Sequence, residues 1–192
     1  RSQWLAGEAY LRIDETDKAA PLVESALQTI EKTDPRSKLH GDLLLSLGGI
    51  ATARGDVSQA LTAYHNAHAI FRRIGETRSE AKALIQIASL YYMANDWQGA
   101  LKYHGEALDT FNGDPGLTAA IHNGRGNALK ELGRDGEAQA ELAAALKLAR
   151  QMKSRSLEAT ILRNIARMAL ASGDLARADR AMADSVRAAG TD

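Results

Sequence analysis

The sequence predicts an all-α fold assembled from about five copies of one helix-turn-helix unit. Three observations lead there. The first is repetition. Alanines at 19, 60, 100, 138 and 178 each follow, five places earlier, a residue suited to a tight turn: Asp14, Gly55, Asn95, Gly133 and Gly173. Steps of 38 to 41 residues between those alanines signal stacked supersecondary units. The second is composition. Among 192 residues only 3 are Pro and 5% are aromatic, while Ala and Leu abound, which favours helix over sheet. The third is spacing, because apolar residues recur at helical intervals between the turns.

Taken in order, Trp4, Leu5, Ala9, Tyr10 and Ile13 mark a first helix over residues 1–13. Asp14 to Asp17 supply turn and cap candidates, and a second helix runs to about Lys32. Asp34-Pro35 predicts the start of a third, with Asp as cap and Pro in the first turn, where no backbone N–H is needed. That helix reaches about residue 53. Gly55 ends it, and Asp56 caps a fourth over about 57–73, which Gly75 closes. A fifth, about 77–93, stops at Asn95, a residue that tolerates positive φ. The sixth covers about 97–111, and Asp114-Pro115 opens the seventh, about 115–132. Gly116, Gly124 and Gly126 weaken the seventh, each by about 1 kcal/mol against Ala. Three more follow at about 135–152, 155–171 and 175–188. Loops of two to four residues make neighbours antiparallel. The repeats fall at about 1–33, 34–75, 76–113, 114–153 and 154–190 of a single domain. The opening at Arg1, with no Met, reads as a piece cut from a longer protein.

Aligning the units on their alanines exposes further columns. Seven residues after the anchor stand Ala26, Ala67, Ala107, Ala145 and Ser185; twelve before it stand Gly7, Gly48, Ala88, Gly126 and Ala166. These small residues let helices approach closely. Four after the anchor the residues are larger: Val23, Tyr64, His104, Leu142 and Met182. Small and large positions alternate, as interdigitating layers require.

With the turn column and the small columns in place, and Trp4, Gly7 and Tyr10 in the first helix, the chain resembles the tetratricopeptide repeat family, in a longer-period form than the usual repeat. The resemblance implies a right-handed α-solenoid of about five repeats whose first helices line a concave groove. It places Trp4, Glu8 and Leu11, then Leu45, Gly49 and Thr52, then Ile85, Ser89 and Tyr92 on that surface. Further along it places Asn123, Asn127 and Lys130, and finally Arg163, Arg167 and Leu170. The groove would be apolar at one end and amide-rich and basic at the other, suited to a peptide or protein segment with an acidic or carboxylate end. The expected binding residues are Asn123, Asn127, Arg163 and Arg167, with Tyr92, Lys130 and Ile85. Asn127 and Arg167 lie four residues beyond Asn123 and Arg163, so each pair shares a helix face. Similar arrays are found in bacterial signalling and regulatory proteins, and that setting is the expected one.

Other classes find less support. Lys+Arg and Asp+Glu both number 24, so no global charge points to nucleic acid or an anionic membrane. Zero cysteines exclude disulfides and thiolate chemistry and suit the cytoplasm, the preferred reading, as well as the periplasm. No apolar run approaches the ~18 residues a membrane span needs. His65, His68 and His104 lack a carboxylate at ligand spacing, and His104 sits in the large packing column, so no metal or cofactor is expected. No nucleophile or acid–base set shows a distinctive spacing, and the expectation is a protein without catalysis. Gly124 has no assigned purpose. Self-association through exposed terminal helices is the alternative to peptide binding.

Overall fold

The computed structural model describes residues 2–12 and 15–190, with the side chains of residues 4–7, 9 and 10 in the first helix. Asp14, Glu8 and Leu11, which carried part of the sequence argument, lie outside the described residues or side chains. Among the described residues there are ten helices and no strand. They are α1 (Ser2–Arg12), α2 (Thr16–Thr33), α3 (Lys38–Ala53), α4 (Val57–Ile74), α5 (Thr77–Met93), α6 (Trp97–Thr110), α7 (Pro115–Glu131), α8 (Asp135–Gln151), α9 (Arg155–Ala171) and α10 (Leu175–Ala189). The chain forms two compact units, Arg1–Leu90 and Tyr91–Asp192, so the last turn of α5 belongs to the second.

The turn column does what its residue types dictate. Gly55, Gly133 and Gly173 take φ of 77°, 72° and 78°, and Asn95 takes 61°. Each closes a helix in the same way. At Gly55 its N–H reaches Thr52 O at 3.0 Å and the Asp56 N–H reaches Ala51 O at 2.9 Å, which satisfies carbonyls that the ending helix would leave orphaned. Asp56, Asp96 and Asp174 then cap the next helix, accepting from the backbone N–H of Gln59, Gly99 and Arg177 at 2.9, 2.8 and 3.0 Å. Lys153 adopts the same left-handed geometry at φ 55°, with nothing in its residue type to announce it.

The two Asp-Pro pairs behave differently. Asp114 caps α7 as expected, accepting from the N–H groups of Gly116 and Leu117. The third helix does not begin at Pro35. Asp34 instead terminates α2, its N–H bonded to Ile30 O at 2.8 Å, and Ser37 caps α3 by accepting from the His40 N–H at 3.2 Å. The carbonyl of Asp34 is occupied by the N–H and hydroxyl of Ser37, which leaves Asp34-Pro35-Arg36 as a turn.

In the first unit, Ala19, Ala20, Val23, Ala26, Leu43 and Ile50 form a core onto which Trp4 packs. Leu44, Ala67, Ile70, Phe71 and Ala83 form a second cluster. In the second unit Leu129, Ala138, Leu142, Ala145, Ile161 and Met168 make the core. Small and large columns meet face to face in both. A Cβ added to Gly7 would stand 2.9 Å from Val23, one on Gly126 would stand 2.7 Å from Leu142, and one on Gly48 would run into the Tyr64 ring. Ser185 replaces Ala in its column by bonding Ala159 O at 2.8 Å across to α9. Met182 departs from the expectation. It is 48% exposed, because no described helix packs on that side of α10.

Candidate functional site

Within the second unit, polar side chains of α7 and α9 meet at one repeat's separation. Asn164 Nδ2 donates to Asn123 Oδ1 at 2.8 Å, and Arg167 Nη2 donates to Asn127 Oδ1 at 3.3 Å. The same spacing recurs between the end of α5 and α7, where the Tyr92 hydroxyl donates to Glu131 Oε1 at 3.4 Å. Lys130 Nζ lies 3.2 Å from the same oxygen. Arg163 Nη2 donates to Thr160 Oγ1 at 3.2 Å. Asn123, Asn127 and Lys130 are half-buried, whereas Arg163 and Arg167 are exposed.

These bonds change the chemistry the surface offers. A free carboxamide presents both a donor and an acceptor. Here each Asn oxygen already accepts one bond from α9, which weights the surface toward donors: the amide N–H groups, the two guanidiniums and the Lys130 ammonium, the last beside the Glu131 carboxylate. Donors, three of them cationic, outnumber acceptors on this face, and the ligand it suits supplies acceptors: carboxylates and backbone carbonyls.

Glu141 on α8 sets the rotation of α7. Its carboxylate accepts from His122 Nδ1 at 2.6 Å and from Arg125 Nε at 2.8 Å, and all three are largely shielded from water. With that side of α7 held against α8, Asn123 and Asn127 are turned toward α9. Beside this pair His104 of α6 is 4% exposed, and its Nδ1 is buried with no hydrogen-bond partner. Burial brings its pKa down to about 4; Arg125 pushes the same way and Glu141 opposes. Its ring occupies the space a side chain at Gly124 would need, which accounts for that glycine in the middle of α7.

The expected residues of the first unit form no comparable set. Ile85 is half-buried on α5, and Leu45 is half-buried on α3. Thr52 Oγ1 bonds Gly48 O at 2.8 Å and lies 3.3 Å from the Tyr64 hydroxyl, and Ser89 Oγ bonds Ile85 O at 2.9 Å, so both hydroxyls are already engaged. Tyr91 packs on Tyr103 with ring centroids 5.0 Å apart, while its neighbour Tyr92 reaches Glu131. His68 pairs with Glu80 at 3.2 Å. Among the described residues no three His, Asp or Glu groups gather as metal ligands, and no described helix is long and apolar enough to cross a membrane.

Sequence reasoning missed Asn164 and Glu131. A signal for Asn164 was present: it stands 41 residues from Asn123, one repeat step, so a search for polar pairs at the repeat spacing would have found it.

Residues 40–112 match the tetratricopeptide repeat family, and no catalytic family is indicated. No curated protein matches the chain by sequence. Several solved structures share the fold. BtubC (BKLC) from P. vanneervenii is 18% identical, with a TM-score of 0.79 over 96% of this chain and 77% of its own. The tetratricopeptide-like repeats of a putative kinesin light chain from Podospora anserina are 18% identical, with a TM-score of 0.74 over 98% and 93%. A Rap protein complexed with competence and sporulation factor is 14% identical, with a TM-score of 0.86 over 98% of this chain and 53% of that one. Residues 40–112 thus carry the tetratricopeptide match, and the helical-repeat fold extends over nearly the whole chain.

Proposed function

We propose that this chain of tetratricopeptide-type repeats is a non-catalytic peptide-binding module of a larger bacterial signalling or regulatory protein. The observation that carries this reading is the donor-rich face of α7 and α9. Asn123, Asn127, Lys130, Arg163 and Arg167 present N–H groups, with Tyr92 and Glu131 at one edge. Such a face recognises an extended segment by its carbonyls and by acidic side chains or a terminal carboxylate. The Rap neighbour, solved with a bound factor, lends support by fold alone.

The test begins with selection of random ten-residue peptides on the purified chain, which is expected to enrich Asp and Glu. Replacing Arg163 and Arg167 together by Ala is then expected to weaken an enriched peptide about 10- to 30-fold, since each exposed charge pair is worth up to about 1 kcal/mol and two are lost. Calorimetric titration measures it. Unchanged affinity for every enriched peptide would remove these arginines from the binding surface.

A second reading, self-association, draws on α10. Leu175, Met182 and Val186 recur at helical spacing there and are 61%, 48% and 63% exposed. If this stripe pairs with another copy, light scattering shows a dimer that Val186→Lys dissolves. A monomer at every concentration up to about 1 mM, where even a ~4 kcal/mol association would register, removes it.

A further inference from the structure

On the other side of α9 from Arg163 and Arg167 lies a cleft of a different character. It opens between α8 and α10, and Leu146, Leu162 and Ile165 form its floor. Leu162 is 4% exposed, and Leu146 and Ile165 pack against the core of the unit, so the floor is a rigid part of the fold. The volume is about 330 Å³, at the lower end of ligand clefts at ~300–1,000 Å³.

The rim is cationic. Arg150, Arg177 and Arg180 stand around the opening, against one carboxylate, Asp184, which is itself engaged by Arg187. Two of the arginines are positioned by neighbours. Arg150 Nε lies 2.7 Å from Glu158 Oε1, and the Gln139 carboxamide lies against the Arg177 guanidinium, its oxygen accepting when the amide is turned over. Arg180 is exposed on α10 and makes no ion pair among the described residues. An apolar floor inside a ring of guanidiniums is complementary to an apolar side chain flanked by carboxylates.

We propose that this cleft is a second docking site, separate from the α7–α9 face, for an acidic protein segment that inserts one or two leucine-sized side chains between α8 and α10. The floor takes the apolar group, and Arg177 and Arg180 on α10 and Arg150 on α8 take the flanking carboxylates. The occupant is a peptide segment with acids on both sides of an apolar pair. The inference stands whether or not the α7–α9 face binds peptide, because the two share no residue.

A fluorescein-labelled twelve-residue peptide with a Leu-Leu pair between runs of Glu is the probe, with a counterpart carrying Lys for every Glu. Anisotropy titration of the whole chain is expected to show binding of the Glu peptide alone, weakened at least fivefold between 50 and 500 mM salt, roughly as screening of surface charge requires. Ala143→Glu, placed in the exposed wall of the cleft, and Arg180→Glu are each expected to weaken it about tenfold or more, as like-charge juxtaposition at an interface does. Arg163→Ala with Arg167→Ala is expected to leave it unchanged, which separates this site from the other face. Circular dichroism of each variant establishes that it is folded. No binding at 1 mM peptide, equal binding of the Lys peptide, or loss only in the Arg163/Arg167 variant would each overturn the assignment. So would a self-associated state in which Ala143 is covered by a second copy.

Discussion

Gly124→Ala is expected to destabilise the second unit even though alanine is the better helix former. On propensity alone the change would add about 1 kcal/mol of stability in the middle of a helix. The new Cβ, however, would run into the imidazole of His104, a side chain only 4% exposed and walled by α7. Overpacking a closed core costs about 1–3 kcal/mol, so the packing term exceeds the propensity term. The net loss is expected at up to about 2 kcal/mol, read as a melting temperature lower by up to about 8 °C. Two controls make the sign diagnostic. Gly49→Ala, also within a helix but with nothing within 4 Å of its added Cβ, should raise stability. In a His104→Ala background Gly124→Ala should turn neutral or stabilising. If Gly124→Ala raises the melting temperature in the native background, the packing assignment of His104 is wrong.

Acidification is expected to weaken the same unit through His104. The unfolded chain takes up this proton near 6.5, whereas the buried imidazole takes it up only near 4. Between those values the unfolded state binds more protons, so stability rises with pH; it is complete above about 6.5 and is lost as pH falls toward 4. The full difference is at most about 3 kcal/mol for a single group shifted this far. Arg125 and Glu141 act on the ring, and His122 pairs with Glu141; all three are present in both the native protein and a His104 variant. The difference between native protein and His104→Leu therefore isolates the imidazole. The leucine variant is expected to unfold with a flatter pH dependence between 4 and 7. At neutral pH it should also be more stable by about 1–2 kcal/mol, since the partnerless Nδ1 is removed. Parallel stability curves for the two proteins, followed by denaturant melts at several pH values, would show that His104 is not the group responsible.

Both predictions come from a part of the molecule the sequence described only halfway. His104 was legible as a packing residue because it stood in a column with Val23, Tyr64 and Leu142. Its partner was not. The column pairing seen at Gly7, Gly48 and Gly126 gave no reason to look at Gly124, two residues away, where the ring in fact lies. The Glu141 bridge to His122 and Arg125 was equally hidden, since it joins residues 16 and 19 apart on two helices whose relative rotation no local pattern states.

What the sequence by itself determined is the phase of the repeat. Turn, cap and small-residue positions depend on a few neighbouring residues, and each type acts through its own backbone or volume: glycine at positive φ, aspartate at the first turn, alanine where helices touch. That is why nearly every helix boundary followed from the turn residues alone. The departure at Asp34-Pro35 arose where Ser37, three residues on, competed for the same helix start. What only the tertiary structure decided is which hydrogen-bonding groups remain for a ligand. Asn123 and Asn127 read as donors and acceptors in one dimension; α9 occupies one acceptor site on each oxygen and leaves the amide donors. A polar side chain's free valence is set by what the next repeat brings against it, about 40 residues away, and so belongs to the packed fold.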